Sequence, residues 1–291
     1  MLAIADEIDS AIAEDGPVVA LETTLVAHGF PGGEGIAVAR ASEAAVRLAG
    51  ALPATVGVLD GAVHVGLTEA ELERFDAAAI KVGPDGLAAC VAQAGVGATT
   101  VGGTLVACRG AGIRVLATGG IGGVHRGFAS RPDVSADLGE LVRSPVLVVC
   151  SGIKSLLDIV ATMEMLETLG VPLVGWRTDT LPLFYSAAGG PPLATRVDTR
   201  AQATELARAH WALGGAAVVL AQPPPDSLDA EPLIVEALVE AEAQGVSGRA
   251  VTPFVLGRLH ERSGGRTLAV NRGLILENAR LAGELAVSLA A

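Results

Sequence analysis

The chain is poor in aromatic side chains, which make up only 3% of its 291 residues. Hydrophobic residues still account for 51% of the sequence, so a core packed mainly from Ala, Val and Leu is expected. The 37 glycines allow close backbone approaches and sharp turns. This length could form one large α/β domain or two smaller ones. Because no internal repeat or linker is evident, we expect a single domain over residues 1–291.

Positive charge is also scarce, because the chain has 20 Lys and Arg residues but 32 Asp and Glu residues, which gives a net charge of -12. Such a balance argues against nucleic-acid polymers and anionic membranes as partners, although a local basic pocket could hold one phosphate. No apolar run reaches the roughly 18 residues of a membrane span. No charged segment followed by an apolar stretch opens the sequence. These absences predict a cytoplasmic protein without a membrane partner.

Cysteine is rare, and Cys90, Cys108 and Cys150 are odd in number and have no CxxC spacing. Neither a disulfide framework nor a structural zinc site is therefore indicated. All three are expected to be small buried residues.

The richest chemistry lies between Arg114 and Leu157. Val115–Ala117 and Val146–Cys150 are short, β-branched runs that predict buried parallel strands. Four glycines within Gly119–Gly123 follow the first strand, and Ser151–Lys154 follows the second. In open α/β sheets ligands bind beyond the carboxyl ends of the strands, so both loops should face one crevice. We take that crevice as the candidate active site.

The glycine-rich loop matches only the first half of a dinucleotide-binding GxGxxG motif. Gly120 and Gly122 fit, but His125 stands where the third glycine would allow close helix packing. We therefore reject the dinucleotide interpretation. A mobile or anion-embracing loop is expected instead, with His125 and Arg126 as hydrogen-bond donors to a ligand.

Asp133 and Asp137 are four residues apart and would share a face if this segment is helical. One or both could then hold a divalent cation, with water completing the shell. The alternative is that Asp133 or Ser135 simply caps the helix that runs through Leu141.

Two further polar residues stand at predicted strand ends. Glu22 follows the strand Pro17–Leu21, where it could act as an acid or base or could cap the next segment. Lys81 follows the strand Ala78–Ile80, where it could hold an anionic group or extend to solvent. The Gly/Thr turn at Gly95–Gly103 could offer backbone amides to an anion at a helix start.

Lys154 is expected in the first turn of a helix whose apolar residues run from Leu156 to Leu166 at helical spacing. There the positive end of the helix dipole and burial would both favour the neutral amine. Only a neutral amine attacks a carbonyl, so this position suits a Schiff-base lysine.

Hydrophobic periodicity and turn signals predict most other elements. An amphipathic helix is expected at Leu2–Glu14, and a hairpin around Asp60-Gly61. Thr68 and Glu71 form a capping box that should start a short helix. Further helices are predicted at Glu34–Leu48, Thr199–Leu213, Glu231–Gln244, Thr252–Arg262 and Thr267–Leu289. Asn271, early in the last helix, is most simply structural when considered alone.

These residues together resemble the pseudouridine-5'-phosphate glycosidase family, which includes indigoidine-cluster relatives and C-ribosylating enzymes of natural products. The resemblance covers nearly the whole chain, and GGIGGVHRG followed by SADL and SGIKS is its most specific part. The other matching segments are VVALETTLVAHGFP, PATVGVLDGAVHVGL, KV at Lys81, GATTV, ETLGVPLVG, EAEAQGVSGR, TPFVL and ENA.

The resemblance implies an α/β fold, a three-layer α/β/α single domain around a mixed, largely parallel sheet, assembled as a homotrimer with a manganese ion. It implies cleavage or formation of a carbon–carbon glycosidic bond between ribose 5-phosphate and an aglycone such as uracil. By position, Lys154 would form an imine with the sugar, Glu22 would donate and accept protons, and Asp133 would bind the metal. The substrate would be surrounded by Lys81, the Val101 backbone, Ser135, Ala136, Asp137 and Asn271.

A lysine imine suits this reaction because a carbon–carbon glycosidic bond has no leaving oxygen to protonate. The paired carboxylates of ordinary glycosidases are therefore inadequate, and the imine supplies the electron sink. The same steps run backwards would make a C-glycosynthase acting on a non-uracil acceptor such as an aromatic metabolite. A non-catalytic sugar-phosphate-binding protein is the alternative of another class, and the presence of Lys154 and Glu22 argues against it.

The chain departs from the family pattern beside Lys81. Common members read Lys-Val-Ser-Arg-Arg-Asp there, whereas this sequence continues as Val82-Gly83-Pro84-Asp85-Gly86. A hydroxyl and two cations near the expected phosphate are lost. The loops at Thr178–Thr180 and Ala187–Pro191 also lack basic residues. We therefore expect a specialised member that still holds the 5-phosphate, using Lys81, His125 and Arg126.

Overall fold

A computed structural model describes residues 1–246 and 251–291, in which eleven strands join into one sheet. The strands are β1 (Leu2–Ile4), β2 (Val18–Glu22), β3 (Leu52–Leu59), β4 (Ala62–Val65), β5 (Ile80–Val82), β6 (Gly97–Thr99), β7 (Val115–Ala117), β8 (Leu147–Cys150), β9 (Leu173–Trp176), β10 (Thr195–Val197) and β11 (Val218–Ala221). The helices are α1 (Asp6–Ala13), α2 (Thr24–His28), α3 (Glu34–Leu48), α4 (Glu69–Leu72), α5 (Leu87–Ala92), α6 (Val101–Ala111), α7 (Ala136–Leu141), α8 (Ile159–Thr168), α9 (Arg200–Ala212), α10 (Glu231–Ala243), α11 (Val251–Arg262) and α12 (Arg266–Ala290).

The sheet is mixed and largely parallel. Its main path runs β1-β4-β3-β2-β7-β8-β11-β9-β10. All neighbours on this path are parallel except β3 and β4, which form the predicted hairpin. The turn at Asp60-Gly61 has φ of 50° and 80°, the left-handed values that a two-residue hairpin needs. The predicted fold class is confirmed.

The sheet divides beyond the end of β2, and this division positions the candidate site residue Glu22. Strand β2 pairs with the first part of β3 and ends at Glu22, opposite Val56. Strand β6 then pairs antiparallel with β3 from Gly57, and β5 extends the sheet beyond β6. The Thr23 hydroxyl fixes the junction by donating to the Val56 carbonyl (2.8 Å) and accepting from the Thr99 amide (2.9 Å). The end of β2 is thereby buried inside the fold.

Helices cover both faces of the sheet and complete three layers. Leu105 of α6 and Leu166 of α8 belong to the apolar core on one face. Val46 of α3 and Leu285 of α12 belong to the core on the other face. Every one of these side chains is at most 1% exposed, so aliphatic residues from the helices are fully buried against both faces of the sheet.

The amino-terminal prediction is partly wrong. A helix was expected from Leu2, but Leu2–Ile4 forms β1, which pairs in parallel with Val63–Val65, and α1 begins only at Asp6. Helical periodicity does not reveal this edge strand, because its hydrogen bonds come from a segment about 60 residues away. Long-range pairing here overrides the local pattern.

Several local predictions are confirmed. Helix α3 has the predicted bounds. Thr68 and Glu71 form the capping box, and the short helix that it starts, α4, ends at Leu72. The three cysteines are buried free thiols, and burial raises the pKa of Cys150 to about 12. Among the described residues, no helix combines the length and apolarity needed to cross a bilayer.

Candidate active site

A pocket of about 230 Å³ opens beside the end of β2. Its polar lining includes Glu22, Lys81, Thr118, Lys154 and Asn271. Much of the remaining wall is apolar, formed by Leu25, Leu156, Phe184, Tyr185, Leu256 and Leu259. The segments that follow β7 and β8 both line this pocket, so the predicted crevice at the carboxyl ends of these strands is confirmed.

Glu22 is the most deeply placed acid in the pocket, with 7% of its surface exposed. The Thr118 hydroxyl donates a short hydrogen bond to its carboxylate. Burial raises the pKa of Glu22 above its ordinary value, and Asp137 adds to that shift. The charges of Lys154 and Lys81 and the Thr118 hydrogen bond act in the opposite direction without reversing it. A carboxyl group with a raised pKa is suited to hold and deliver a proton near neutral pH.

Lys154 lies in the irregular segment between β8 and α8, not in a helix. Its amide donates to the Ile121 carbonyl (3.1 Å), which ties the segment to the glycine-rich loop. Helix α8 begins at Ile159, after Asp158 caps it by accepting from the Ala161 amide (3.0 Å). The predicted position in the first turn is therefore wrong, and the helix dipole does not act on this lysine. What the structure supplies instead is a half-buried amine close enough to Glu22 to influence its ionisation.

Lys81 reaches the same pocket from β5, on the far side of the division in the sheet. Burial has the largest effect on the pKa values of Glu22, His28 and His125, and the positive charge of Lys81 acts on all three in the direction of a lower pKa. Lys81 thus belongs to the electrostatics of the site although the residue is exposed. His28 also lines the pocket, with its Nε2 atom 3.0 Å from the Ala79 carbonyl.

The glycine-rich loop is held firmly in place. Ile121 pairs with Ile153, and the whole of Gly119–Gly123 is buried. A Cβ atom on Gly120 would stand 2.7 Å from the Phe184 ring, and one on Gly122 would stand 2.6 Å from an Asp137 carboxylate oxygen. The space beside these glycines is therefore filled by side chains of the protein itself, and the loop is packed in place. The expectation of a mobile loop is wrong.

Asp137 joins this loop to the start of α6. Its two carboxylate oxygens accept from the amides of Gly102 and Gly122, each at 2.8 Å. The Gly/Thr turn was expected to offer backbone amides to an anion at a helix start. At the start of α6 that group is the buried carboxylate of Asp137, a side chain of the protein itself. Asp133 lies outside α7, so the predicted shared helical face with Asp137 is wrong. The cap of α7 is Ser135, which accepts from the Asp137 amide at 3.2 Å.

A second pocket, separated from the first by Leu156, contains His125, Arg126 and Asp133. The Arg126 guanidinium pairs with Glu231 at 2.7 Å and donates to the carbonyls of Ser155 (2.7 Å) and Leu157 (3.2 Å). The structure thus gives Arg126 partners other than the expected phosphate, and two of them, Ser155 and Leu157, closely follow Lys154 in the chain. Burial lowers the pKa of His125, which favours its neutral form.

The predicted site residues fall into three groups. Glu22, Lys81, Lys154 and Asn271 share the first pocket, and His125, Arg126 and Asp133 share the second. Val101, Ser135, Ala136 and Asp137 line neither pocket. Residues 247–249, which end the EAEAQGVSGR motif, lie outside the described residues.

The surroundings of Asp133 fit a hard cation held mainly by water. No cluster of three or more His, Cys, Asp or Glu side chains with metal-binding geometry occurs in the part of the chain that the structure describes. The Asp133 carboxylate is 39% exposed and lies 3.9 Å from the His125 Nδ1 atom. One accessible carboxylate suits an ion that keeps most of its water ligands.

Sequence reasoning missed Tyr185, Phe184 and Thr118, which all line the first pocket. Nothing local marks them, because Phe184 and Tyr185 belong to a Gly- and Pro-rich loop without a recognisable motif. Asn271 was predicted, and its Oδ1 atom is buried without a hydrogen-bond partner.

Comparison with known proteins gives full-length matches. The indigoidine synthase A like protein family matches residues 7–288. Proteins named pseudouridine-5'-phosphate glycosidase from Herpetosiphon aurantiacus and Jannaschia are each 47% identical over 99% of this chain and 98% of theirs.

Two solved structures superpose with a TM-score of 0.90 and cover 100% of this chain and 97% of their own. One is the prealnumycin C-glycosynthase AlnA in complex with ribulose 5-phosphate, at 41% identity. The other is an indigoidine synthase A-like protein from Thermotoga maritima, at 38% identity. The chain therefore belongs to the indigoidine synthase A-like family, together with these pseudouridine-5'-phosphate glycosidases.

Proposed function

We propose that this protein is an enzyme that cleaves or forms the carbon–carbon glycosidic bond between ribose 5-phosphate and an aglycone, as in pseudouridine 5'-phosphate. The observation that carries the proposal is the pairing of Lys154 with a buried, readily protonated Glu22 in one pocket. The names of the relatives and of the C-glycosynthase neighbour support the same chemistry.

In the cleavage direction, Glu22 donates a proton to the ring oxygen as the sugar ring opens, and the neutral Lys154 amine adds at C1. The proton released by the amine returns to Glu22. The nitrogen lone pair then forms a carbon–nitrogen double bond while the carbon–carbon bond breaks. The electron pair leaves on the aglycone carbon, which takes the proton from Glu22. Water hydrolyses the iminium, releasing ribose 5-phosphate and the free lysine.

The pocket walls support positions for the two ends of the substrate. Lys81 is the cation that reaches the same pocket from β5, and it suits the anionic sugar end. The apolar wall around Phe184 suits a planar aglycone. Ser135–Asp137 would act by holding the loop and the start of α6 in position.

A C-glycosynthase acting on a larger aromatic acceptor is the second candidate. The apolar wall and the loss of cations at Gly83–Gly86 favour it. The same catalytic pair serves both directions, so the acceptor alone separates the two candidates.

Manganese, a homotrimer and a cytoplasmic location complete the proposal on the strength of the family resemblance. Asp133 would hold the manganese ion, which would supply positive charge in the second pocket, next to His125. Asp133→Ala should lower manganese occupancy, measured by metal analysis, without lowering the melting temperature. Full occupancy in this variant would contradict the assignment. Light scattering of the purified protein tests the trimer, and cell fractionation tests the location.

The direct test of function is incubation with pseudouridine 5'-phosphate, with uracil and ribose 5-phosphate quantified by mass spectrometry. In parallel, ribose 5-phosphate is offered with uracil and with aromatic carbon acceptors. Turnover only with an aromatic acceptor would select the C-glycosynthase. Binding of ribose 5-phosphate without turnover of any pair would select a non-catalytic sugar-phosphate-binding protein.

A further inference from the structure

Two buried polar atoms without a hydrogen-bond partner belong to residues that line the active-site pocket. Within residues 1–246 and 251–291, the buried side-chain atoms without a hydrogen-bond partner are the Tyr185 hydroxyl, the Asn271 Oδ1 and the His210 Nε2. Tyr185 and Asn271 line the pocket of Glu22 and Lys154, whereas His210 lies elsewhere. Buried polar groups are nearly always paired, since an unpaired one is costly. Two such atoms in one pocket indicate that a ligand supplies their partners.

The Tyr185 ring is fixed by its surroundings. Phe184 adopts the left-handed φ of 60°, unusual for a bulky residue, and its amide donates to the Ser151 carbonyl at 3.1 Å. The Phe184 and Tyr185 rings meet edge to face, with centroids 4.8 Å apart. The Tyr185 carbonyl accepts from the Leu228 amide at 2.7 Å. Strain of this kind persists where the surrounding structure enforces it, and it often marks a functional site.

Tyr185 belongs to the apolar wall of the pocket, together with Phe184, Leu256 and Leu259. Burial raises the pKa of its hydroxyl. The hydroxyl therefore stays protonated and can donate a hydrogen bond. Because the sugar phosphate needs Lys154 and Lys81, the part of the substrate near Tyr185 is the aglycone.

We propose that the Tyr185 hydroxyl donates a hydrogen bond to a carbonyl oxygen of the aglycone and thereby selects which aglycones bind. This inference rests on the proposed function. A planar ring suits the apolar wall of Phe184, Leu256 and Leu259, and a ring carbonyl supplies the acceptor that the hydroxyl lacks. A wholly apolar aglycone would leave the donor unpaired and would be rejected.

The test removes this single hydroxyl with Tyr185→Phe and compares two ligands. With pseudouridine 5'-phosphate, KM should rise about three- to tenfold, the effect of losing one neutral hydrogen bond. With ribose 5-phosphate alone, which has no aglycone, the rate of borohydride trapping on Lys154 should stay unchanged. The ligand-free variant should melt no lower than the wild type, because an unpaired buried hydroxyl is removed.

Ser186→Ala is the matched control, since it removes a neighbouring hydroxyl that already donates to the Ala188 carbonyl at 2.9 Å. It should change neither measurement. An unchanged KM for Tyr185→Phe would overturn the inference, as would equal losses with both ligands, which would place the contact on the sugar. Absence of both cleavage and trapping in the wild type would instead reject the proposed function.

Discussion

The Thr118 hydroxyl, one residue beyond β7, donates a hydrogen bond to the Glu22 carboxylate at the end of β2. Two neighbouring strands thus hold the proposed proton-transfer group between them. The hydrogen bond stabilises the ionised carboxylate and so acts to lower the pKa of Glu22. Burial has the larger, opposite effect, and the pKa is raised overall.

Thr118→Val should raise the pKa of Glu22 further, because it removes a donor without removing the burial. In the pH profile of kcat, the limb that reports loss of the Glu22 proton should move to higher pH. Thr118→Ser, which keeps the hydroxyl, is the control and should leave that limb in place. A limb that does not move in Thr118→Val would show that Glu22 is not the titrating group.

Glu22→Gln should stabilise the ligand-free protein at neutral pH while abolishing turnover. The pKa of Glu22 is raised in the folded state, so the folded protein binds its proton more tightly than the unfolded chain. The stability linked to that proton is present below the unfolded pKa of about 4.5 and is lost as pH rises through the folded value. The neutral variant avoids this loss and should therefore be more stable than the wild type at pH 8.

The pH series supplies the check on Glu22→Gln. Melting temperatures of variant and wild type should converge as pH falls towards 4.5. A gap that stays constant across the series would mean that ionisation of Glu22 is not responsible.

Asp137→Asn should destabilise the fold, because one of the amides of Gly102 and Gly122 would then face an NH₂ group. A hydrogen bond to a charged group contributes about 1.5–3 kcal/mol, which corresponds to a fall in melting temperature of roughly 3 to 10 °C. Asp158→Asn is the matched control, since asparagine also caps a helix well and should cost only a few tenths of a kcal/mol. Equal melting temperatures for the two variants would contradict the role of Asp137.

Arg126→Ala should lower turnover more than it raises KM. The guanidinium holds the carbonyls of Ser155 and Leu157, which closely follow Lys154 in the irregular segment. Losing these contacts should let Lys154 shift, and a small displacement of a reacting group can reduce the rate by up to about a hundredfold. Glu231→Gln leaves those carbonyl contacts in place and should have little effect. A dominant rise in the KM for the sugar phosphate would instead favour the phosphate contact that the sequence predicted.

Local chemistry explains which elements were predictable. The capping box at Thr68, the hairpin at Asp60-Gly61 and the buried strand β7 depend on neighbouring residues, and all three are confirmed. The start of α8 was misplaced because Leu156 and Leu157 have helical spacing yet pack into the core from an irregular segment. Asp158 was a usable signal, since a helix commonly begins just after such a residue.

The candidate site was only partly predictable from the sequence, because some of its features depend on how distant segments pack. Glu22 and Lys154 stand at strand ends, where a parallel sheet gathers its ligands, so their meeting followed from the predicted strands. Tyr185 gains its importance from burial and from the lack of a partner, and both depend on the packing of distant segments. The carboxylate of Asp137 is engaged by two backbone amides, which no sequence pattern indicated.

The proposed reaction depends on an imine between Lys154 and the open-chain sugar. Borohydride added to the wild-type protein with ribose 5-phosphate should reduce that imine and leave a stable adduct, located on Lys154 by peptide mass spectrometry. Lys154→Arg keeps the positive charge but should give no adduct and no turnover. An adduct on Lys81 alone, or undiminished turnover by Lys154→Arg, would contradict the account.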